Sequence, residues 1–485
     1  MNEQEKASSL SGVKAALRDG RNPFPLDRIT GPLLAEGTRE RLMRLCPLDE
    51  KGKPLMMTGI SGSQKALAAA ALLKNYDRAV IIVPDQKDIF RWEEDLAFFA
   101  PDYDVHPFPL VEEAGFHVTF TGTERLRDRM QSLSLLMEKK KTVILATSIE
   151  AAQKIVSPQL LKDHALTFTL GEEWGRDDLL EKLVSAGYER VGQVERCGHF
   201  AVRGDIVDIF PISEAHPLRI EFFGDEIDSI RSFDEDSQLS MERFEKAMVL
   251  PLSLKEEKKS ILFDYLDGGL ILYDEPQRSE ENLNRYFKEE KENRGKAFPW
   301  NDMVRRGRKG NREIIFSLLN RSLTAFQPVI FGWQGQSMTN YQRQIPIFIE
   351  DLKSLLKKEW KVLLVVPRAS EEEELKEILK EYEIPLSSEM TSSSVCLVHG
   401  VLSGGYEMAP EKLALLTAGD ILGKQKIRRV KGAGKGRQIR YFSDLNPGDY
   451  VVQDVHGIGK YLGLKTIELS GVHRDYIAIQ YAGND

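Results

Sequence analysis

Cysteine is scarce in this sequence of 485 residues: Cys46, Cys197 and Cys396 stand far apart, and their number is odd. Three isolated cysteines exclude a disulfide framework and a zinc site of paired cysteines, and they fit a reducing cytosol. The eight histidines are scattered as well, with no two at metal-ligand spacing, so we predict no metal site. We therefore expect a cytoplasmic protein without a bound metal.

Long apolar runs are also missing. No stretch is long enough to span a bilayer, and the first residues lack the regions of a secretory signal, so we expect no contact with a membrane. A content of 41% hydrophobic and 29% charged residues is typical of a globular protein. The net charge of −8 argues against a chain that coats nucleic acid, although local basic patches could still touch DNA. A length of 485 residues predicts several domains.

Apolar strands alternating with helices predict an α/β domain in the first part of the chain. The run Ala79–Pro84 suits a buried parallel strand, a helix is expected at Gln86–Phe99, and Thr142–Ala146 is a further strand. The same pattern resumes at about Ser260. From about Val156 up to that point the sequence predicts one helix and several short strands. This change favours an α+β module inserted into the first domain.

The segment Tyr188–Pro211 carries three arginines among alternating apolar residues. Phe200–Arg203 and Ile206–Phe210 have the period of strands, and Gly204-Asp205 between them is a two-residue hairpin signal. Arginines beside an aromatic side chain would suit a docking surface. An ordinary half-exposed hairpin is the alternative, because charged strand faces are common.

A glycine-rich turn, GISGSQKA, approximates a phosphate-binding loop. It keeps Gly59, Gly62 and Lys65, but Gln64 replaces the glycine before the lysine and Ala66 replaces the hydroxyl residue that ligates magnesium. A side chain at position 64 disfavours the close backbone approach that phosphate needs. The sequence therefore favours a retired nucleotide site.

Two carboxylates would belong to the same site. Asp274 and Glu275 follow an apolar strand, where they would suit the metal-coordinating carboxylate and the general base of an NTPase. If the site is retired, Lys65 is simply a surface cation.

The second half of the chain predicts a small α/β domain, a linker and an all-β tail. The glycine-rich basic segment at 423–441 is either a merely solvated linker or a set of phosphate contacts. Short strands from about Tyr450 predict a small barrel of about five strands, which looks cut short. In the last strand Ile477 and Ile479 share one face, and Tyr476 lies on the other.

Five segments together resemble the amino-terminal half of bacterial transcription-repair coupling factors, and the match spans nearly the whole chain. They are GISGSQKA, HFAVRGDIVDIFP, LRIEFFGDEIDSIRSFD, ILFDYLDGGLILYDEP and GDYVVQDVHGIGKYLG. The first four also resemble the excision-repair helicase UvrB. The pair RGDIVDIFP and EFFGDEID is the specific part of the resemblance.

The resemblance implies a multidomain α/β protein. It implies a UvrB-like P-loop NTPase-type domain in two parts (1–152 and 251–347), an inserted UvrA-binding module (153–250), a small α/β domain (348–422), a basic linker (423–441) and a truncated SH3/Tudor-like β-barrel (442–485) that binds the β subunit of RNA polymerase.

The implied function is transcription-coupled nucleotide excision repair. Such a factor recognises RNA polymerase stalled at DNA lesions, promotes its ATP-dependent release and recruits UvrA. ATP and Mg would serve a motor domain absent here, and double-stranded DNA would be contacted mainly through that motor. We therefore expect a partial coupling factor that needs no cofactor, has no ATPase of its own and binds UvrA constitutively. The enzyme class is left open.

The resemblance also implies site residues. Arg190, Arg196, Phe200 and Arg203 become candidates for the UvrA contact, with Asp208 structural.

For RNA polymerase, the candidates lie on the last strand, whose edge could pair with a strand of the partner. They are Tyr476, Ile477 and Ile479.

Two other functions remain open. One is a UvrB-type ATP-dependent helicase that verifies damage, and the other is a free-standing transcription regulator. The segment Asp102–Phe120 is too short for the tyrosine-rich hairpin with which UvrB probes DNA, and the altered phosphate loop also argues against the helicase.

Overall fold

The computed structural model describes residues 53–111, 120–138, 140–235, 237–252, 258–289, 293–423, 448–453, 457–469 and 472–481. Nearly all of the basic linker at 423–441 lies outside these residues. The chain divides into two compact units, one of Met1–Val111 with Leu126–Gln425 and one of Glu112–Arg125 with Lys426–Asp485.

The described helices are α1 Gln64–Leu73, α2 Gln86–Phe99, α3 Phe120–Met137, α4 Ser148–Ala152, α5 Pro158–Asp163, α6 Arg176–Ser185, α7 Pro276–Glu289, α8 Asn293–Lys296, α9 Trp300–Gly307, α10 Ile345–Lys357, α11 Ala369–Glu381 and α12 Ala418–Leu422. The described strands are β1 Leu55–Thr58, β2 Arg78–Val83, β3 Asp104–Pro107, β4 Thr142–Thr147, β5 Leu166–Thr169, β6 Glu189–Arg190, β7 His199–Arg203, β8 Ile206–Ile209, β9 Leu218–Phe223, β10 Glu226–Phe233, β11 Ser240–Arg243, β12 Lys246–Val249, β13 Leu270–Asp274, β14 Arg312–Ser317, β15 Val329–Gly332, β16 Gly335–Ser337, β17 Lys361–Val366, β18 Leu386–Ser387, β19 Val395–His399, β20 Tyr406–Met408, β21 Leu413–Thr417, β22 Tyr450–Gln453, β23 Gly457–Leu469 and β24 Val472–Tyr481.

The first domain is a parallel sheet of seven strands in the order β15-β1-β14-β13-β2-β4-β3. Its strands come from both sides of the segment that carries β5 to β12. Continuous apolar runs suit such strands because helices cover both sheet faces. In β2, for example, Ile81 and Val83 belong to one buried cluster, and Val80 and Ile82 belong to the other.

The intervening segment forms its own module around a sheet in the order β11-β10-β9-β8-β7-β6. A second sheet pairs β12 with β5. Leu179 and Leu183 of α6 belong to the module's buried cluster. At its base, the amide of Ile155 donates to the carbonyl of Ser260 at 2.8 Å, and the amide of Ser260 donates back at 3.0 Å. The chain therefore enters and leaves this module side by side.

The small domain is a sheet in the order β16-β20-β21-β17-β19-β18. It begins earlier than the predicted boundary at 348, because β16 at 335–337 pairs with β20. Leu363 and Val365 of β17 share a buried cluster with Leu67 of α1 and Leu96 of α2. The small domain and the first domain thus have one continuous core.

The second unit contains an antiparallel sheet in the order β22-β23-β24, with a register shift between Tyr461 and Gly463. Its described residues form three strands rather than the predicted five, so the SH3/Tudor-like barrel is not confirmed. Over the described ranges no helix combines the length and the apolar character needed to cross a bilayer. The described residues also contain no group of three or more His, Cys, Asp or Glu side chains able to hold a metal.

Candidate functional site

The predicted arginine hairpin is confirmed in strands β7 and β8. Arg203 pairs with Ile206 across the two-residue turn, and Ala201 pairs with Asp208. Gly204 has a φ of 58°, a conformation that glycine adopts without the steric cost other residues incur. The hairpin therefore forms where the Gly-Asp signal placed it.

Phe200 lies on the inner face of this hairpin. Its side chain is 0% exposed and belongs to the same buried cluster as Leu183, Val207 and Ile220. Because an aromatic ring in the core cannot reach a partner, the predicted role of Phe200 in a contact surface is wrong. The alternation of residues along the strand defined its two faces, but it did not show which of them the module would bury.

The three arginines are all exposed, and they differ in their contacts. The Arg196 guanidinium donates to Nε2 of His199 at 2.8 Å and lies 3.7 Å from a carboxylate oxygen of Glu189. Burial, followed by the charge of Arg196, lowers the pKa of His199, so the ring is neutral and accepts this hydrogen bond. Arg196 is thus partly neutralised within the module.

Arg203 is held differently. Its guanidinium donates to the backbone carbonyl of Gly192 at 3.3 Å, and neither it nor Arg190 has a carboxylate partner among the described residues. A guanidinium without a carboxylate retains its capacity for the paired hydrogen bonds that such groups make with acidic partners. Arg190 and Arg203 are the two candidates with a free charge.

A charged network on the outer sheet face was missed from the sequence. Arg219 donates two hydrogen bonds to the carboxylate of Asp208, at 2.7 and 2.8 Å, and Arg231 pairs with Glu221 on the neighbouring strands. The hydrogen bond to Asp208 raises the pKa of Arg219 despite partial burial. Asp208 is therefore structural, as expected. The alternation of charged and apolar residues in β9 was the signal that could have revealed this face.

The phosphate-loop segment keeps the backbone form that its glycines allow. Gly59 and Gly62 have φ values of 80° and 55°, and α1 begins at Gln64. The side chain of Gln64 is fully buried, with 0% exposure. The side chain that replaces the loop glycine is thus enclosed by protein.

Lys65 is not the surface cation predicted for a retired site. Its Nζ lies 2.5 Å from Oδ1 of Asp274 and 3.3 Å from Oε1 of Glu275, and its side chain is 14% exposed. Burial alone would lower the pKa of Lys65, but the attraction of the two carboxylates raises it overall. The ammonium of Lys65 forms an internal ion pair. Its partners lie too far along the chain for the sequence pattern to have shown the pairing.

The two carboxylates are held by further donors. Oδ2 of Asp274 accepts from the indole of Trp92 at 2.9 Å, and Glu275 accepts from the amide of Leu318 at 2.7 Å. Ala66 supplies no hydroxyl for magnesium. These residues do not fit ATP and Mg, because each charged group that would serve them is already engaged.

The predicted polymerase-binding residues lie on β24, where Ile477 pairs with Leu464 and Ile479 pairs with Tyr461. Tyr461 is buried and Ile479 is half-buried. In the sheet order β24 is an edge strand. The side chains of Tyr476 and Ile477 lie outside the described part of the structure.

Two protein-family models match the chain. The model described as "UvrB interaction domain" covers residues 166–254, which includes the arginine hairpin. The model described as "CarD-like/TRCF RID domain" covers residues 445–485, which includes the three-stranded sheet.

Full-length relatives extend the similarity. A "Transcription-repair-coupling factor" of Bacillus subtilis is 26% identical over 90% of this chain and 44% of that protein. One of Staphylococcus haemolyticus is 25% identical over 89% of this chain and 44% of that protein. The chain thus spans less than half the length of these relatives.

Among solved structures, a DEAD box protein from Methanococcus jannaschii matches with a TM-score of 0.28 and 8% identity, covering 78% of this chain and 86% of that one. At that score the likeness carries no argument about this fold. The sequence relatives and the two family models do carry one: the chain is homologous to transcription-repair-coupling factors over about nine-tenths of its length, which confirms the resemblance of its motifs.

Proposed function

We propose that this chain acts in transcription-coupled nucleotide excision repair as a scaffold that links RNA polymerase to UvrA. The observation that carries the proposal is the presence of both interaction modules in one chain, at 166–254 and at 445–485. A scaffold needs two separate binding surfaces and no chemistry between them.

The UvrA contact is assigned to the exposed arginines of β6 and β7. Arg190 on β6 and Arg203 at the turn end of β7 are exposed without a carboxylate partner among the described residues. Arginine is enriched at interface hot spots, and its planar fork recognises carboxylates. We therefore expect UvrA to present acidic side chains to this surface.

The RNA polymerase contact is assigned to β24. As the edge strand of its sheet, β24 offers main-chain groups with which an extended strand of the β subunit can pair. Tyr476, Ile477 and Ile479 would then set the specificity of that pairing.

Nucleotide chemistry is not assigned to the described residues. Lys65 forms ion pairs with Asp274 and Glu275, and the side chain of Gln64, where a working loop has glycine, is buried. The purified chain should therefore neither bind nor hydrolyse ATP. We propose that recognition of a stalled polymerase and its ATP-dependent release belong to the whole coupling factor and not to the described residues alone.

Capture of purified UvrA by the immobilised chain tests the first contact. Replacing both Arg190 and Arg203 with alanine should weaken binding by about 2 kcal/mol, roughly thirtyfold. Arg305, which is 78% exposed on α9, provides the control, and Arg305→Ala should leave binding unchanged. Unchanged capture by the double variant would contradict the assignment of the surface.

Capture of the polymerase β subunit tests the second contact in the same variants. Tyr476→Ala should weaken this capture and leave that of UvrA intact. The arginine variants should show the reverse pattern. If the wild-type chain captures neither partner, the scaffold proposal itself fails.

A further inference from the structure

The altered phosphate loop contacts the small domain instead of solvent. Ser63 and Gln64, at the start of α1, are 1% and 0% exposed. The Ser63 hydroxyl donates to the carbonyl of Gly404 at 2.6 Å, and the indole of Trp333 donates to Oε1 of Gln64 at 2.7 Å. Gly404 lies between β19 and β20 of the small domain. Trp333 lies between β15 of the first domain and β16 of the small domain, and its amide donates to the carbonyl of Thr58 in β1.

The contact is close enough to require glycine on the opposing segments. A Cβ at Gly335 would lie 1.9 Å from Oε1 of Gln64, and a Cβ at Gly400 would lie 2.4 Å from the ring of Phe98. At distances this short, a side chain at either position would force Gln64 or Phe98 to move. The backbone of the small domain is thus shaped around side chains of α1 and α2.

A second polar contact supports the same interface from α2. The carboxylate of Asp95 accepts from the amide and from the hydroxyl of Ser403, both at 2.7 Å, and Asp95 is 4% exposed. Charged side chains are rarely buried to this extent unless they are paired or hydrogen-bonded. The interface therefore combines an apolar core with specific polar contacts.

We infer that the former phosphate loop has become the joint that fixes the small domain to the first domain, with Gln64 as its central contact. The residue that replaces the loop glycine does two things at once. Its side chain fills buried space at the contact with the small domain, and its amide oxygen accepts a hydrogen bond from the buried indole of Trp333. This inference does not depend on the proposed partners.

A structural role for Gln64 predicts a different outcome from the simple loss of a nucleotide site. If Gln64 only marked lost function, Gln64→Gly would be neutral or would favour nucleotide binding. If Gln64 holds the two domains together, the same change leaves the buried Trp333 indole without its acceptor and opens a cavity between the two domains. Gln64→Gly should therefore loosen the small domain without restoring ATP binding.

Amide hydrogen exchange distinguishes these outcomes, because two neighbouring amides report on different contacts. The Ser403 amide is held across the joint by Asp95, whereas the Gly405 amide is held inside the small domain by Asp420 at 2.8 Å. In Gln64→Gly the Ser403 amide should exchange about three- to tenfold faster, the effect of losing about one hydrogen bond. The Gly405 amide should keep its wild-type rate.

The matched control is Gln327→Gly, the same substitution at an exposed loop position. Trp333→Phe is a second test variant, since it removes the indole donor and retains an aromatic ring. Wild-type exchange of the Ser403 amide in both variants would overturn the inference. So would equal acceleration of the Ser403 and Gly405 amides, or tight binding of ATP by Gln64→Gly.

Discussion

Lys65 and Asp274 form an ion pair at 2.5 Å, although 209 residues separate them in the chain. Glu275 completes the pair at 3.3 Å from the same ammonium. In a working phosphate loop the lysine faces the β and γ phosphates. Here the lysine instead faces two carboxylates, so its charge is balanced within the protein.

Lys65→Ala should destabilise the protein rather than remove an activity. The variant leaves the buried carboxylate of Asp274 without its cation, and breaking such a pair costs about 3 kcal/mol. Thermal unfolding followed by circular dichroism should show a lower midpoint. Lys87→Ala is the control, because Lys87 is 67% exposed and 3.9 Å from Asp85, where a pair contributes little. Equal midpoints for both variants would show that the ion pair carries no stability.

Phe200→Ala should lower the stability of the inserted module. Truncating a fully buried phenylalanine leaves a cavity and costs about 3–5 kcal/mol. Phe223 in the same sheet is 82% exposed, so Phe223→Ala should change stability by less than about 0.5 kcal/mol. Urea unfolding monitored by proteolysis of the module compares the two. If Phe200 were a surface contact, both variants would unfold alike.

Stability should fall as the pH rises towards neutrality, because of Asp95. Burial raises the pKa of this carboxyl from its ordinary value of 3.8 to about 7, although the hydrogen bonds from Ser403 oppose the rise. Between about pH 4 and 7 the folded state holds a proton that the unfolded state has lost, so each step upward in pH favours unfolding. Above about pH 7 the carboxyl is ionised in both states, and this contribution becomes constant.

Asp95→Asn should remove that slope and raise the stability at pH 8, since an amide oxygen can still accept from Ser403. Thermal midpoints between pH 5 and pH 8 measure the effect. Asp178→Asn, on an exposed carboxylate with 61% side-chain exposure, serves as the control. If the thermal midpoint of Asp95→Asn still fell with pH as steeply as that of the wild type, other groups would be responsible for the pH dependence.

Local sequence patterns predicted the strands that are apolar throughout. The run Ala79–Pro84 became β2, and the helix at Gln86–Phe99 was predicted with its observed ends. Such runs leave few alternatives, because a continuous apolar stretch must be buried on both faces. The hairpin turn was predictable for a similar reason, since its glycine fits a positive φ.

The central strand β14 was missed because its sequence begins with two charges. Arg312 and Glu313 are both buried, and Glu313 pairs with Arg308 at 2.8 Å. The partner of Glu313 is only five positions away, but no local pattern shows that two charged residues at the start of a strand will be buried. The partner of Lys65, Asp274, lies 209 positions further along the chain, where a local pattern does not reveal it.

The reciprocal hydrogen bonds between Ile155 and Ser260 make the inserted module a cassette. Since the segments at which the chain enters and leaves the module lie side by side, a short connection from 155 to 260 could replace it. A module attached in this way can be gained, exchanged or lost while the host domain keeps its topology. Such modularity gives evolution a means of moving a docking surface from one protein scaffold to another.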